Sequence, residues 1–244
     1  LESRKKAFSK KSSKLDTPKG ILLLGVQGGG KSLAAKAVAG HFAMPLLRLD
    51  FGTLYNKYIG ETEKNLRQAL QKAEVMSPCI LWIEVIEKGN SQCSNDDGDS
   101  NRILGTMLTW MAEHEGKVFI FDTPNEIESL PPEQMRKGRI DEIFFVDPPD
   151  KKIREEIFSI HLRRRNQPPS GYELPMLAEA SEGFSGAEIE QVIVSALYTA
   201  HSSEERLSTD ILLDEIQRTQ PLSVVMAEKM AYLREWARNR TVPA

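Results

Sequence analysis

Residues 25–32 read Gly25-Val26-Gln27-Gly28-Gly29-Gly30-Lys31-Ser32, and their flanks decide the fold. Before them stands a short apolar run, Ile21-Leu22-Leu23-Leu24, which predicts a buried strand. After them, Leu33 to Phe42 carries helix formers at helical apolar spacing. Strand, glycine loop, Lys-Ser, then helix is the setting in which G-x-x-x-x-G-K-[ST] cradles phosphates. Gly25, Gly28, Gly29 and Gly30 let the backbone curl so that several N–H groups converge on one anion. The helix that opens at Leu33 adds its partial positive charge. Lys31 is the residue that reaches β- and γ-phosphates, and the Ser32 hydroxyl can ligate Mg²⁺. The expected ligand is ATP with Mg²⁺.

Outward from this loop, apolar runs alternate with helical patterns. Leu46-Leu47-Arg48-Leu49, Cys79-Ile80-Leu81-Trp82-Ile83, Val118-Phe119-Ile120-Phe121 and Glu142 to Val146 read as further strands. Continuous apolar strands suit a parallel sheet covered on both faces. Helices are expected over Glu61 to Met76 and Ile103 to His114, with Leu54 to Gly60 and the acidic Asn90 to Ser100 as loops. After Asp150 strand signals stop. Lys151 to Asn166, Ser185 to His201, Ile211 to Gln217 and Val224 to Arg240 read as helices. The expected fold is therefore an α/β P-loop NTPase with a five-stranded parallel sheet, followed by a small all-helical lid domain. Residues 1–19 are read as a basic helix and linker, 20–149 as the nucleotide-binding domain and 150–244 as the lid.

The chain of 244 residues is 40% hydrophobic and 27% charged with net charge −3, so no global basic field points to nucleic acid as a partner. Cys79 and Cys93 have no metal-ligand spacing and read as reduced thiols. No apolar stretch approaches a membrane span. The first residue is Leu1 rather than Met, and the expectation is a processed chain or a segment of a longer one.

Residues Asn125 to Asp141, NEIESLPPEQMRKGRID, make the reading more specific. With the glycine loop upstream, they resemble the second homology region of AAA-type ATPases. The resemblance implies that Asn125 is a sensor asparagine orienting the attacking water, and that Arg136 and Arg139 are paired arginines. At least one of these would reach the γ-phosphate held by a neighbouring subunit, an effect worth roughly 10³–10⁵ in rate in related phosphoryl transfers. Lys57 to Glu61 is similar to the family's pore loop, with Tyr58 and Ile59 as the gripping pair. Phe184-Ser185-Gly186-Ala187-Glu188 resembles the lid segment that closes over nucleotide, which implies binding roles for Gly186 and Ala187. His161 lies where family members place a histidine near the adenine or ribose. The resemblance also implies a homo-oligomeric ring of six subunits remodelling a client protein that the sequence does not name. Its nearest subfamily is that of a conserved hypothetical chloroplast reading frame, found in plastids, cyanobacteria and other bacteria, which implies plastid stroma or bacterial cytoplasm. Segments such as GVQGGGKSLAAKAVA, ILWIEVIEKG and LPPEQMRKGRIDEIFFVDPP carry that likeness.

One departure bears on chemistry. The strand ending at Ile83 should close with Asp-Glu and instead closes with Glu84-Val85. Glu84 keeps the charge that helps hold Mg²⁺, with an added methylene. Val85 cannot act as the base that polarises water, and losing a positioned base costs about 10²–10⁴-fold. Asp122, three residues before Asn125, is offered as a partial replacement, with Glu87 a weaker one. Two functions follow: a protein-remodelling ATPase with impaired hydrolysis, or a non-hydrolysing ATP-binding assembly or regulatory subunit. A copy without selected activity remains a third reading.

Overall fold

The computed structural model describes residues 8, 16–51, 59–84, 97–114, 116–124, 133, 135 and 138–243, with backbone alone at 59–60, 97–101 and 243. These residues fall into two compact units, one within Leu1–Leu24, Lys31–Phe145 and Arg240–Ala244, the other within Gly25–Gly30 and Val146–Asn239.

The first unit is the sheet with its helices. Strands β1 (Gly20–Gly25), β2 (Leu46–Asp50), β3 (Cys79–Glu84), β4 (Val118–Asp122) and β5 (Glu142–Val146) are the five expected, in the order β2-β3-β4-β1-β5. Every residue of β1, β4 and all but the last of β3 is buried, as their unbroken apolar runs require. A two-residue strand, β6 (Val242–Pro243), pairs in parallel with β5. The expectation of no strand after Asp150 is corrected here, because pairing to an existing edge needs backbone only and leaves little trace in side-chain pattern.

Register decides which side chains share a face. Ile80 pairs with Phe119 and Trp82 with Phe121, while Arg48 pairs with Trp82 and Asp50 with Glu84. One face therefore carries Arg48, Asp50, Ile80, Trp82, Glu84, Phe119 and Phe121. Helix α1 (Lys31–Phe42) packs on that face, its Phe42 ring 5.8 Å from Phe119. Phe8 is buried beside both rings, at 5.9 Å from Phe42 and 5.8 Å from Phe119. The remainder of the helix expected over Leu1 to Lys14 lies outside the described residues. The opposite face carries Cys79, Leu81, Ile83, Ile120 and Asp122. There the Cys79 thiol donates to the Ala73 carbonyl at 3.2 Å, near the end of helix α2 (Ile59–Val75).

Three helices of this unit begin earlier than expected, α1 among them at Lys31 rather than Leu33. Helix α2 includes Ile59 and Gly60, and helix α3 (Asp97–Glu113) reaches into the stretch read as an acidic loop. A helix's first turn has no intrahelical N–H bonds to enforce a pattern, and aspartates suit its positive end, so composition misplaces the boundary.

The second unit is helical: α4 (Lys151–Arg164), α5 (Leu174–Ala180), α6 (Gly186–Ser202), α7 (Thr209–Arg218), α8 (Leu222–Val225) and α9 (Ala227–Ala237). Phe158, Leu162, Leu177, Phe184, Ile189, Val192, Ile193, Leu212 and Ile216 form its core. Helix α5 is too short to show a period and was not foreseen. The single helix expected over Val224 to Arg240 is two, divided at Met226. Arg154 is buried and satisfied by carbonyls, donating to Ala178 O at 2.9 Å and Pro149 O at 2.7 Å.

Candidate functional site

The glycine loop leaves β1 at Gly25, where a Cβ would stand 2.2 Å from the Val146 carbonyl oxygen. Gly29 N–H donates to Val26 O at 3.2 Å, closing a turn. Gly28 and Gly30 hold φ of +75° and +88°, the left-handed region that only glycine enters without cost. Left-handed residues alternating with ordinary ones turn successive N–H groups inward, which is the geometry of an anion cradle. Gly28 is also covered by the start of α6. Ala187 N–H donates to Gly28 O at 3.4 Å, and Gly186 would bring a Cβ within 3.8 Å of the same oxygen. The lid residues Gly186 and Ala187 are thus at the glycine loop.

The start of α6 is itself built with care. Ser185 Oγ accepts from Glu188 N–H and Glu188 returns a carboxylate oxygen to Ser185 N–H at 2.7 Å, a reciprocal cap. The other carboxylate oxygen of Glu188 accepts from Leu222 N–H at 2.6 Å. Glu188 therefore ties the first turn of α6 to α8.

Lys31 opens α1 and is buried, 7% exposed. Burial lowers its ammonium pKa to about 8 from the usual 10.5. Ser32 beside it is exposed, as is Leu33 at 63%. At the end of β3, Glu84 emerges on the face that α1 covers. Its Oε2 lies 2.6 Å from Arg48 Nη2, an ion contact whose angles fall short of an aligned hydrogen bond. The same guanidinium is 3.6 Å from Asp50 and sits 5.4 Å over the Trp82 ring. Trp82 Nε1 in turn donates to Thr123 Oγ1 at 2.9 Å, and Thr123 donates to Ile83 O.

Asp122 does not fit the role of a replacement base. It pairs in register with Ile83, one residue from Glu84, so the two carboxylates leave opposite faces of the sheet. Asp122 is fully buried, and burial pushes its carboxyl up to about 7. Arg139 donates from Nη1 to the Glu133 carbonyl at 2.7 Å, within its own loop. The aspartate that ends this segment is structural: Asp141 Oδ2 accepts from Gly20 N–H at 3.1 Å, fastening the start of β1. His161 Nδ1 lies 3.3 Å from Glu190 Oε1, which also accepts from Arg165 at 2.8 Å. Burial, first among several influences, lowers the His161 pKa. Ile59 is in the first turn of α2. Tyr58, Val85, Glu87, Cys93, Asn125 and Arg136 lie outside the described residues.

The model for the ATPase family associated with various cellular activities (AAA) matches residues 21–148, from β1 through β5. The chain belongs to the AAA family. It is 44% identical over 242 residues to the uncharacterized AAA domain-containing protein ycf46 of Guillardia theta, covering 97% of this chain and 48% of that protein. Matches of 42–44% identity and similar coverage extend to ycf46 proteins of Pyropia yezoensis and Trieres chinensis. The chain thus spans about half the length of these relatives. It is also 35% identical over 201 residues to a proteasome-activating nucleotidase of Aeropyrum pernix, covering 80% of this chain and 49% of that protein.

Membership in an AAA ATPase family implies nucleotide binding, and the residues present fit it. The left-handed glycines at 28 and 30 are of the kind that frees backbone N–H groups for an anion, and Lys31 is a cation at a helix start, each a type of donor that phosphate takes. Among the described residues no three His, Cys, Asp or Glu side chains gather as a metal cage. Mg²⁺ held with a nucleotide takes mostly phosphate and water oxygens, so one or two protein donors of the Ser32 and Glu84 kind match its needs. Among the described residues no helix is long and apolar enough to cross a membrane.

Sequence reasoning missed Arg48, Thr123 and Glu188. Arg48 had a signal, a cation inside an apolar strand two residues from Asp50, but only register shows that it faces Glu84.

Proposed function

We propose that this chain is an ATP-binding AAA module with weak hydrolysis, acting within a ring-forming assembly that remodels proteins. The observation that carries the reading is the end of β3. Glu84 is engaged by Arg48 at 2.6 Å, and the next residue in sequence, Val85, has no proton acceptor. In this reading the backbone of Gly25 to Gly30 and the Lys31 ammonium bind the β- and γ-phosphates, Ser32 and Glu84 hold Mg²⁺, and Leu33 stands in the first turn of the helix that follows the loop. Gly186 and Ala187 close over the nucleotide, with His161 near the base or ribose. When bound, Mg²⁺ supplies charge neutralisation on the phosphates. Asn125 positions the attacking water, and Arg136 and Arg139 complete a neighbour's site. Six subunits, a plastid or bacterial setting, and Tyr58 with Ile59 as a pore loop follow from the same resemblance. The division at residue 149 separates the nucleotide-binding part from the lid.

The second reading is a non-hydrolysing subunit in which ATP is a structural ligand and assembly signal. Val85 favours it, since the binding groups persist where the base is missing. Phosphate release measured beside ATP binding separates the two, for this chain and for Glu84→Asp with Val85→Glu. Slow turnover that the double substitution raises about 10²-fold or more supports the first reading. Tight binding with no release, restored or not, supports the second. Rapid turnover by the unaltered chain would overturn both.

A further inference from the structure

Arg48 stands between two carboxylates on one sheet face, 2.6 Å from Glu84 and 3.6 Å from Asp50. Its guanidinium sits over the Trp82 ring, 5.4 Å from the ring centre. Trp82 in turn donates to Thr123, the residue just past β4, at 2.9 Å. Arg48 is half exposed, 52%, while Glu84 and Asp50 are 24% and 17% exposed. The cation is therefore the most exposed member of the group and the two acids are the more buried ones. Releasing Glu84 does not strand the guanidinium, because Asp50 and the Trp82 ring remain within reach. A carboxylate with a cation 2.6 Å away is already neutralised, and a divalent ion must compete with that cation for it.

We propose that Arg48 is a positioning residue that pairs with Glu84 and yields it, by swinging toward Asp50, when Mg²⁺ binds with the nucleotide. This rests on the reading of Glu84 as the metal-side carboxylate. The consequence is a raised Mg²⁺ requirement: the ion gains Glu84 only by displacing a guanidinium. The pair is partly solvated, so the effect is modest and lies in metal dependence rather than in fold stability.

The test is ATP binding by the whole chain, in EDTA and through a titration with MgCl₂. Arg48→Met keeps a stem over Trp82 and removes the charge, Arg48→Gln is the second neutral variant, and Arg48→Lys keeps the cation. The two neutral variants should reach half of the Mg²⁺-dependent gain in ATP affinity at about two- to fivefold lower Mg²⁺. Arg48→Lys should stay near the parent, and in EDTA all four should bind ATP alike. Glu84→Gln should lose the Mg²⁺-dependent gain, and adding Arg48→Met to it should change nothing more. An unchanged Mg²⁺ titration in both neutral variants overturns the proposal, as does a shift that survives in the Glu84→Gln background. In either case ATP binding by the parent chain leaves the nucleotide reading standing. A parent chain that binds no ATP under any condition defeats that reading and this inference together.

Discussion

Gly28 lies against the N-cap of α6, so closely that a Cβ on Gly28 would stand 2.8 Å from the Ser185 hydroxyl oxygen. The loop that begins the phosphate site and the helix start that the sequence assigns to the lid are thus one packed group. Neither can be altered without touching the other.

Gly28→Ala should therefore do more than strain a loop. A non-glycine residue at φ +75° costs about 1–2 kcal/mol, and the new methyl must also push Ser185 from the position in which it caps α6. The expected outcome is a loss of about 2–3 kcal/mol in urea unfolding together with weakened ATP binding. Gly30→Ala is the control: its φ is +88°, yet nothing lies within 4 Å of its Cβ position. It should cost only the backbone penalty, and equal losses for the two variants would sink the packing argument.

Lys31, as a phosphate-binding residue in the proposed reading, should make nucleotide binding pH-dependent. With its pKa lowered to about 8 by burial, it is charged below that pH and neutral above it. Phosphate oxygens favour the charged form, so binding above pH 8 must take up a proton. ATP affinity should fall about fivefold from pH 8 to 9, with uptake approaching one proton in calorimetry across buffers of different ionisation heat. Lys31→Met should abolish both the affinity and the uptake. For folding the sign is opposite: the unfolded chain holds the Lys31 proton between pH 8 and 10.5 and the fold does not, so this group's contribution to stability rises with pH there.

Asp122 is a cost within the sheet. Its carboxyl is raised to about 7 from 3.8, because burial disfavours the charged form more than a backbone hydrogen bond from Thr123 favours it. Between these values the fold holds a proton that the unfolded chain has released, so stability from this group is lost as pH rises from about 4 to 7. Asp122→Asn should match the parent near pH 4 and exceed it by roughly 2–4 kcal/mol above pH 7. A stability difference that stays flat from pH 4 to 8 would show that Asp122 does not titrate in this window.

Glu188 holds two N–H groups, that of Ser185 at 2.7 Å and that of Leu222 at 2.6 Å. Removing it leaves both donors without the carboxylate. Glu188→Ala should destabilise the chain by about 2–3 kcal/mol and speed amide exchange at Leu222, whereas Glu188→Gln, which keeps one acceptor oxygen, should lose less. Exchange at Leu222 unchanged in Glu188→Ala would show that α8 is held by other contacts.

Most of the fold was legible because its signals are local. Five strands appeared as apolar runs, and the glycine loop as spacing that only a tight phosphate turn explains. Helix α5 and strand β6 were not legible, being seven and two residues long, with little room for a period. The beginnings of α2 and α3 were misjudged because a first turn carries no obligatory pattern. At the site, Lys31 and Ser32 were nameable from motif spacing, and Glu84, Gly186 and Ala187 from the family resemblance.

The sequence by itself determined the likeness to the family, the strand–loop–helix that begins the site, and the Glu84-Val85 pair that follows Ile83, since each is a matter of residue identity at close spacing. Only the tertiary structure decided that Arg48 meets Glu84 and that Asp122 faces away from it. The physical reason is register. Strands β2, β3 and β4 are separated by whole helices along the chain, and a shift of one residue in their pairing would send every side chain to the other face.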